Sequence, residues 1–172
     1  MTDGMGFVRC LVYMALWGVA CFPLGRLLKQ MGLKWDRFPF AAFKWERGGA
    51  IYDLVGIRRW KDIVPDVSKM FPGSIPKKVI TSRPGPALLR DMLEETCVAE
   101  LIHLMLCVSG LAMPFMWPGW GGIIVYAVYV LLGNLPFIMI QRYNRPRFQR
   151  LLEAAERRER RLADAGTDTV EQ

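Results

Sequence analysis

Two apolar runs, Leu101 to Trp117 and Gly119 to Ile140, are joined by the turn Trp117-Pro118-Gly119-Trp120. Neither run contains a charged side chain apart from the lone His103 near the start of the first. A helix needs roughly 20 apolar residues to cross a hydrocarbon layer of about 30 Å, so this pattern reads as a membrane hairpin. The tryptophans fall where an interface belongs. A third apolar stretch, Gly6 to Leu24, is broken only by Arg9. It is longer than the usual core of a signal peptide and lacks a small-x-small cleavage site before Pro23, so it is read as a retained first crossing.

Composition enters because it would otherwise conflict. Hydrophobic residues make up 52% of the 172-residue chain, yet the formal net charge is +7. Charges gathered into loops reconcile the two. The segment Gly25 to Val98 carries 14 Lys/Arg against eight Asp/Glu, and another eight arginines follow Ile140. The expected fold is therefore all-α and integral to the membrane, a single domain over 1–172. It comprises crossings at 5–24, 98–117 and 119–140, a cytoplasmic and partly interfacial aromatic/basic loop at 25–97, and a cytoplasmic tail at 141–172 ending in an amphipathic helix. The positive-inside rule puts the N-terminus outside and the C-terminus in the cytoplasm of a cell membrane.

In the loop, Trp35, Phe38, Phe40, Phe43, Trp45, Tyr52 and Trp60 alternate with cations. Such alternation suits single-stranded nucleic acid, but beside membrane helices it is read as a segment in the headgroup layer, and no nucleic-acid partner is expected. Ile51, Leu54 and Val55 predict a short helix ending near Arg58 and Arg59. Five prolines from Pro65 to Pro86 then exclude long helices until about Ala87, which suggests an irregular lid. From Ala87 one helix should run to Trp117, bent near Pro114, and Phe148 to Ala165 should form a separate charged helix.

Cys10, Cys21, Cys97 and Cys107 have no CxxC or Cys/His ligand spacing, so neither disulfide nor metal is expected. Nucleotide-binding glycine motifs and GxSxG are absent. The chemistry-bearing residues collect at one end of the hairpin. Glu100 and His103 are three apart and share a helical face. His103 precedes Pro118 by 15 residues, roughly 22 Å at about 1.5 Å per residue, and the same depth on the return helix is Gly133-Asn134. Ionisable groups inside a membrane usually face an interior or a wet cavity, and a carboxylate beside an imidazole orients a general base. Cys107, one turn deeper, would form a thiolate in hydrocarbon and is read as packing. QRYNRPR (Gln141 to Arg147) adds Gln141, Arg142, Tyr143, Asn144, Arg145 and Arg147 at the border. Anchoring needs the cations but not the amides and the phenol, so a ligand site is expected there.

These residues resemble the glycosyl-4,4'-diaponeurosporenoate acyltransferase family of staphyloxanthin-type carotenoid synthesis. AELIH (Ala99 to His103) and NLPFIMIQRYNRPR (Asn134 to Arg147) carry the likeness, with FKWERGG (Phe43 to Gly49) and IRRWKD (Ile57 to Asp62) matching more loosely. The resemblance implies transfer of a fatty acyl group to a sugar hydroxyl of a membrane glycolipid or glycosylated carotenoid. In that reading His103, oriented by Glu100, is the base, and Asn134 or an arginine of QRYNRPR stabilises the oxyanion. Arg58, Arg59 and Lys61 would hold the phosphates of an acyl-CoA or acyl-carrier co-substrate, with no resident cofactor. The competing reading is a non-catalytic module that binds anionic lipid or scaffolds partner enzymes. It needs the cations but neither Glu100 nor His103, so Glu100→Gln would separate the two. A lipid methyltransferase has no cofactor-shaped motif to support it. Oligomeric state is not legible.

Overall fold

The computed structural model describes residues 3–63 and 84–168; the proline-rich stretch expected to form a lid lies almost wholly outside them. Among the described residues every regular element is helical: α1 (Asp3–Gln30), α2 (Ile51–Leu54), α3 (Ile57–Trp60), α4 (Pro86–Ser109), α5 (Met113–Met116), α6 (Trp120–Val128) and α7 (Leu135–Asp168). A 3-10 segment at Lys44–Gly49 precedes α2. Three helical stretches are long and apolar enough to cross a membrane: Gly4–Gln30, Pro86–Met116 and Trp120–Asp164. The chain is an all-α membrane protein.

α1 runs antiparallel to α4 and, at its start, packs on the segment 113–117 that follows α4. At one end the Trp117 indole lies against Gly6 and Gly121, where a Cβ would come within 2.4 Å and 2.3 Å of the ring. Only glycine permits so close an approach. Further along, the Tyr13 hydroxyl donates to the Ser109 carbonyl at 2.9 Å, and Gly25 faces Ile102. At the polar end Lys29 Nζ reaches Asp91 and Glu95 at 2.8 Å and 2.9 Å.

The helix expected from Ala87 to Trp117 is present with one interruption. A 3-10 turn at Gly110–Ala112 separates α4 from α5, which opens with Pro114 in its first turn, a position where a missing N–H costs nothing. In the return crossing Pro136 cannot donate to the carbonyl of Leu132. The backbone responds just before it with a π turn over Tyr129–Asn134, and the Leu135 N–H bonds five residues back to Val130. Such one-turn widenings recur at functional sites.

The charged tail differs from expectation. Pro146 does not end the crossing; it sits inside α7, a single helix of 34 residues. Beyond the apolar run α7 packs against the start of α4, with Leu89 and Leu93 against Leu152 and Ala155, flanked by Trp35 and Phe148. That tertiary packing outweighs the single hydrogen bond a proline deletes. The outer face keeps the solvated Glu153–Arg157 and Glu156–Arg160 pairs at 3.7 Å and 3.9 Å. The single helix expected near Ile51 is two turns, α2 and α3, separated by Gly56 in the left-handed region. The loop aromatics also divide. Phe40 and Tyr52 are buried in the protein, whereas Phe38, Phe43 and Trp45 are exposed.

Candidate active site

Glu100 is wholly buried, and both its oxygens are taken by arginines. Arg142 Nε donates at 2.7 Å and Arg145 Nη2 at 2.6 Å. No bond joins it to His103, so the expected Glu100–His103 pair is corrected. Side-chain direction accounts for the change. Side chains lean toward the N-terminus of their own helix. α4 begins at the polar end and α7 inside the apolar layer, so Glu100 leans outward while the arginines lean inward. They meet across a register that counting from the turn places more than one helical turn apart.

The second acid of the cluster is Glu46, 2% exposed, from the FKWERGG segment. Its Oε1 accepts from Arg142 Nη1 at 3.0 Å and from the Tyr52 hydroxyl, and its Oε2 accepts from the Phe43 N–H at 2.6 Å. Burial, and then the adjacent Glu46 carboxylate, pushes the Tyr52 phenol far above its ordinary range, so Tyr52 stays a donor. The arginines also donate to backbone. Arg142 Nη2 donates to the Pro39 carbonyl at 2.7 Å, and Arg145 Nη1 to that of Phe40 at 2.6 Å. Arg145 also holds Thr96, through Nε to Oγ1 at 3.0 Å and Nη2 to the carbonyl at 3.1 Å. Two carboxylates against two guanidiniums leave the cluster neutral, and no buried side-chain polar atom is unpartnered among the described residues. Buried charge is tolerated on those terms.

The loop reaches the cluster through a sharp reversal. Arg47, Gly48 and Gly49 all have positive φ, and a Cβ on Gly49 would stand 3.3 Å from the Tyr143 carbonyl. That turn points Glu46 inward and lays the loop on α7. Glu46 and Tyr52 were missed in the sequence, although FKWERGG carried the signal: an acid among cations, followed by paired glycines.

One layer deeper, His103 Nδ1 lies 3.0 Å from Asn134 Oδ1. Asn134 is 1% exposed, and its Nδ2 donates to the Tyr129 carbonyl at 2.9 Å. Turning the amide over would set Oδ1 against that carbonyl, acceptor on acceptor. The amide is thus fixed with its oxygen on the ring, Nδ1 carries the proton, and Nε2 is left with its lone pair. Phe137 stacks on the imidazole at 4.5 Å between centroids and 10° between planes. The shared depth of His103 and Asn134 expected from the hairpin is present, but Asn134 orients the ring, and both ends of its amide are committed.

The other expected ligand residues separate. Arg142 and Arg145 are turned inward onto the two carboxylates and loop carbonyls, away from the border where a ligand site was expected. Tyr143 is buried and stacks beneath Arg147, whose guanidinium carbon lies 3.4 Å from the ring centre. Arg58 forks onto Asp53 at 3.0 Å and 2.9 Å and touches the Tyr143 hydroxyl at 3.2 Å, and it holds the Asp53 carboxyl below its usual range. Lys61 pairs with Asp62 at 3.0 Å, and Arg59 is exposed. Gln141 and Asn144, both half-buried, fall on the helical stripe that begins at Asn134 and Phe137. That stripe climbs from His103 toward the polar end. All four cysteines are free thiols.

A histidine held by an amide, beneath a neutral ion cluster in a bundle of three apolar helices, defines an integral-membrane protein with a polar site at one end of its bundle. Over residues 36–154 the chain matches the model of the glycosyl-4,4'-diaponeurosporenoate acyltransferases, and it belongs to that family of acyltransferases. Curated relatives of that name include one from Staphylococcus haemolyticus (strain JCSC1435), 25% identical over 159 residues, covering 88% of this chain and 89% of the relative. Another, from Staphylococcus aureus (strain MRSA252), is 26% identical over 153 residues, covering 87% and 89%. No solved structure matches.

Proposed function

We propose that the chain transfers a fatty acyl group from an acyl thioester to a sugar hydroxyl of a membrane glycolipid, a glycosylated carotenoid being the acceptor its relatives' names suggest. The observation that carries the mechanism is the His103–Asn134 bond, which leaves Nε2 as a base. Nε2 takes the proton of the sugar hydroxyl as its oxygen attacks the thioester carbonyl. The tetrahedral oxyanion collapses, the carbon–sulfur bond breaks, and the imidazolium returns its proton to the leaving thiolate. No covalent acyl-enzyme is needed, in keeping with Cys107 as a packing residue.

With Asn134, Arg142 and Arg145 bonded to other groups, we assign the sugar and the developing oxyanion to the amides of Gln141 and Asn144, a reading supported by the stripe they share with Asn134. Arg59 and Lys61 serve the phosphates of an acyl-CoA or acyl-carrier donor, and Arg58 and Arg147 brace Tyr143 beside them. The site faces the cytoplasm of the cell membrane. The test is lipid mass spectrometry on membranes with wild-type or His103→Ala protein, following an acyl-sized mass shift on a glycolipid. The shift should vanish in the variant; native-rate acylation by His103→Ala would end this assignment.

A further inference from the structure

A crevice of about 400 Å³ opens where α1 ends, walled by Leu33, Lys34, Arg37, Phe38, Phe40 and by Leu101 of α4. Its volume lies in the range of small-ligand sites. Two of its walls are built rather than fortuitous, because the carbonyls of Pro39 and Phe40 are the ones Arg142 and Arg145 clamp. Lys34 and Arg37 are exposed, and neither side chain pairs with a carboxylate among the described residues. Leu101 is the first residue of the charge-free run of α4, so the crevice joins the apolar layer to the cationic rim. Phe38, 85% exposed, stands beside that opening.

Leu101 precedes His103 by two residues, about 200° around the helix at roughly 100° per residue. The body of α4 therefore stands between the crevice and the imidazole. An occupant cannot be the molecule reacting at Nε2. We infer that the crevice is a binding site for an anionic phospholipid, its phosphate between Lys34 and Arg37 and its chains descending past Leu101 into the bilayer. Cations at the headgroup level above an apolar wall match that amphiphile, and a zwitterionic headgroup would bring its own ammonium against the same two cations. The site stands apart from the acyl-transfer reading and would survive its failure.

The experiment is native mass spectrometry of the full chain released from nanodiscs of equal phosphatidylglycerol and phosphatidylcholine. Wild type should retain one phosphatidylglycerol in preference to phosphatidylcholine, and His103→Ala should do the same. Lys34→Ala/Arg37→Ala should weaken that retention roughly tenfold or more, the scale set by two interfacial cations. Lys34→Arg/Arg37→Lys should preserve it, as should Arg157→Ala/Arg158→Ala, which removes equal charge elsewhere. Equal retention of both lipids would overturn the inference. So would undiminished retention by the alanine pair, or displacement by millimolar inorganic phosphate or by an acyl-CoA.

Discussion

At the level of single residues the fold turns on which partner each polar side chain takes. Glu100 and His103 share a face three residues apart, and that spacing suggested a pair. A carboxylate withdrawn from water gains more from two guanidiniums than from a neutral ring, so Glu100 goes to Arg142 and Arg145 and leaves His103 to Asn134. The depth of His103 and Asn134 was legible because both lie inside charge-free runs counted from one turn. The choice between acid and amide was not, because it depends on where long arginines point. His103→Ala should therefore lower the transfer rate by about 10²–10⁴, the usual weight of a positioned base. Because it strands the buried Asn134 oxygen, it should also lower stability by about 1–3 kcal/mol, so the rate is compared per folded protein. Asn134→Leu should cost both rate and stability, about 1–3 kcal/mol, because the Tyr129 carbonyl loses its donor. A variant at Asn134 with full activity would show that the tautomer is not held by this bond.

Among the elements, the ion cluster ties the 3-10 segment at Lys44–Gly49 to α4 and α7 through Glu46, Arg142, Glu100 and Arg145. Removing one charge from such a set leaves its partner stranded, at about 3–5 kcal/mol. Glu100→Gln, offered by sequence logic as a test of chemistry, becomes a test of folding. Glu100→Leu should lower the unfolding midpoint sharply, and adding Arg145→Leu should recover part of the loss; strict additivity would argue against the pairing. The last glycine of FKWERGG and the glycine between α2 and α3 give a second comparison. Gly49 (φ +93) stands against the Tyr143 carbonyl, whereas Gly56 (φ +67) has open space around it. Gly49→Ala should accordingly destabilise more than Gly56→Ala in the same melt, since strained backbone of about 1–3 kcal/mol is common to both and the close contact is not. The number of apolar crossings and the hairpin were readable from apolar run length alone. The continuity of α7 through Pro146 was not, because it depends on Leu152 and Ala155 finding Leu89 and Leu93 on another helix.

Across the whole molecule, charge and topology are one question. The loop holding Glu46 and Arg59, the first turns of α4 and the arginine-rich end of α7 all sit at one end of the bundle, joined by Lys29–Asp91, Arg90–Glu156 and the buried cluster. Trp117, Phe7 and Trp120 sit at the other, with Phe7 and Trp117 edge to face at 6.1 Å. Nearly all the cations gather at one end, so the positive-inside rule proposes one orientation, with that end toward the cytoplasm. In a background with the four native cysteines replaced, Arg59→Cys and Arg158→Cys should resist a membrane-impermeant thiol reagent in intact cells and react after permeabilisation. Pro118→Cys, exposed in the turn that joins the two crossings, should react without it. Labelling of Arg59→Cys and Arg158→Cys from opposite sides would contradict the packing of the α2–α3 loop on Tyr143 of α7. Labelling of both from outside would instead leave the packing intact and invert the orientation, moving the acyl donor and the sugar acceptor to the outer face.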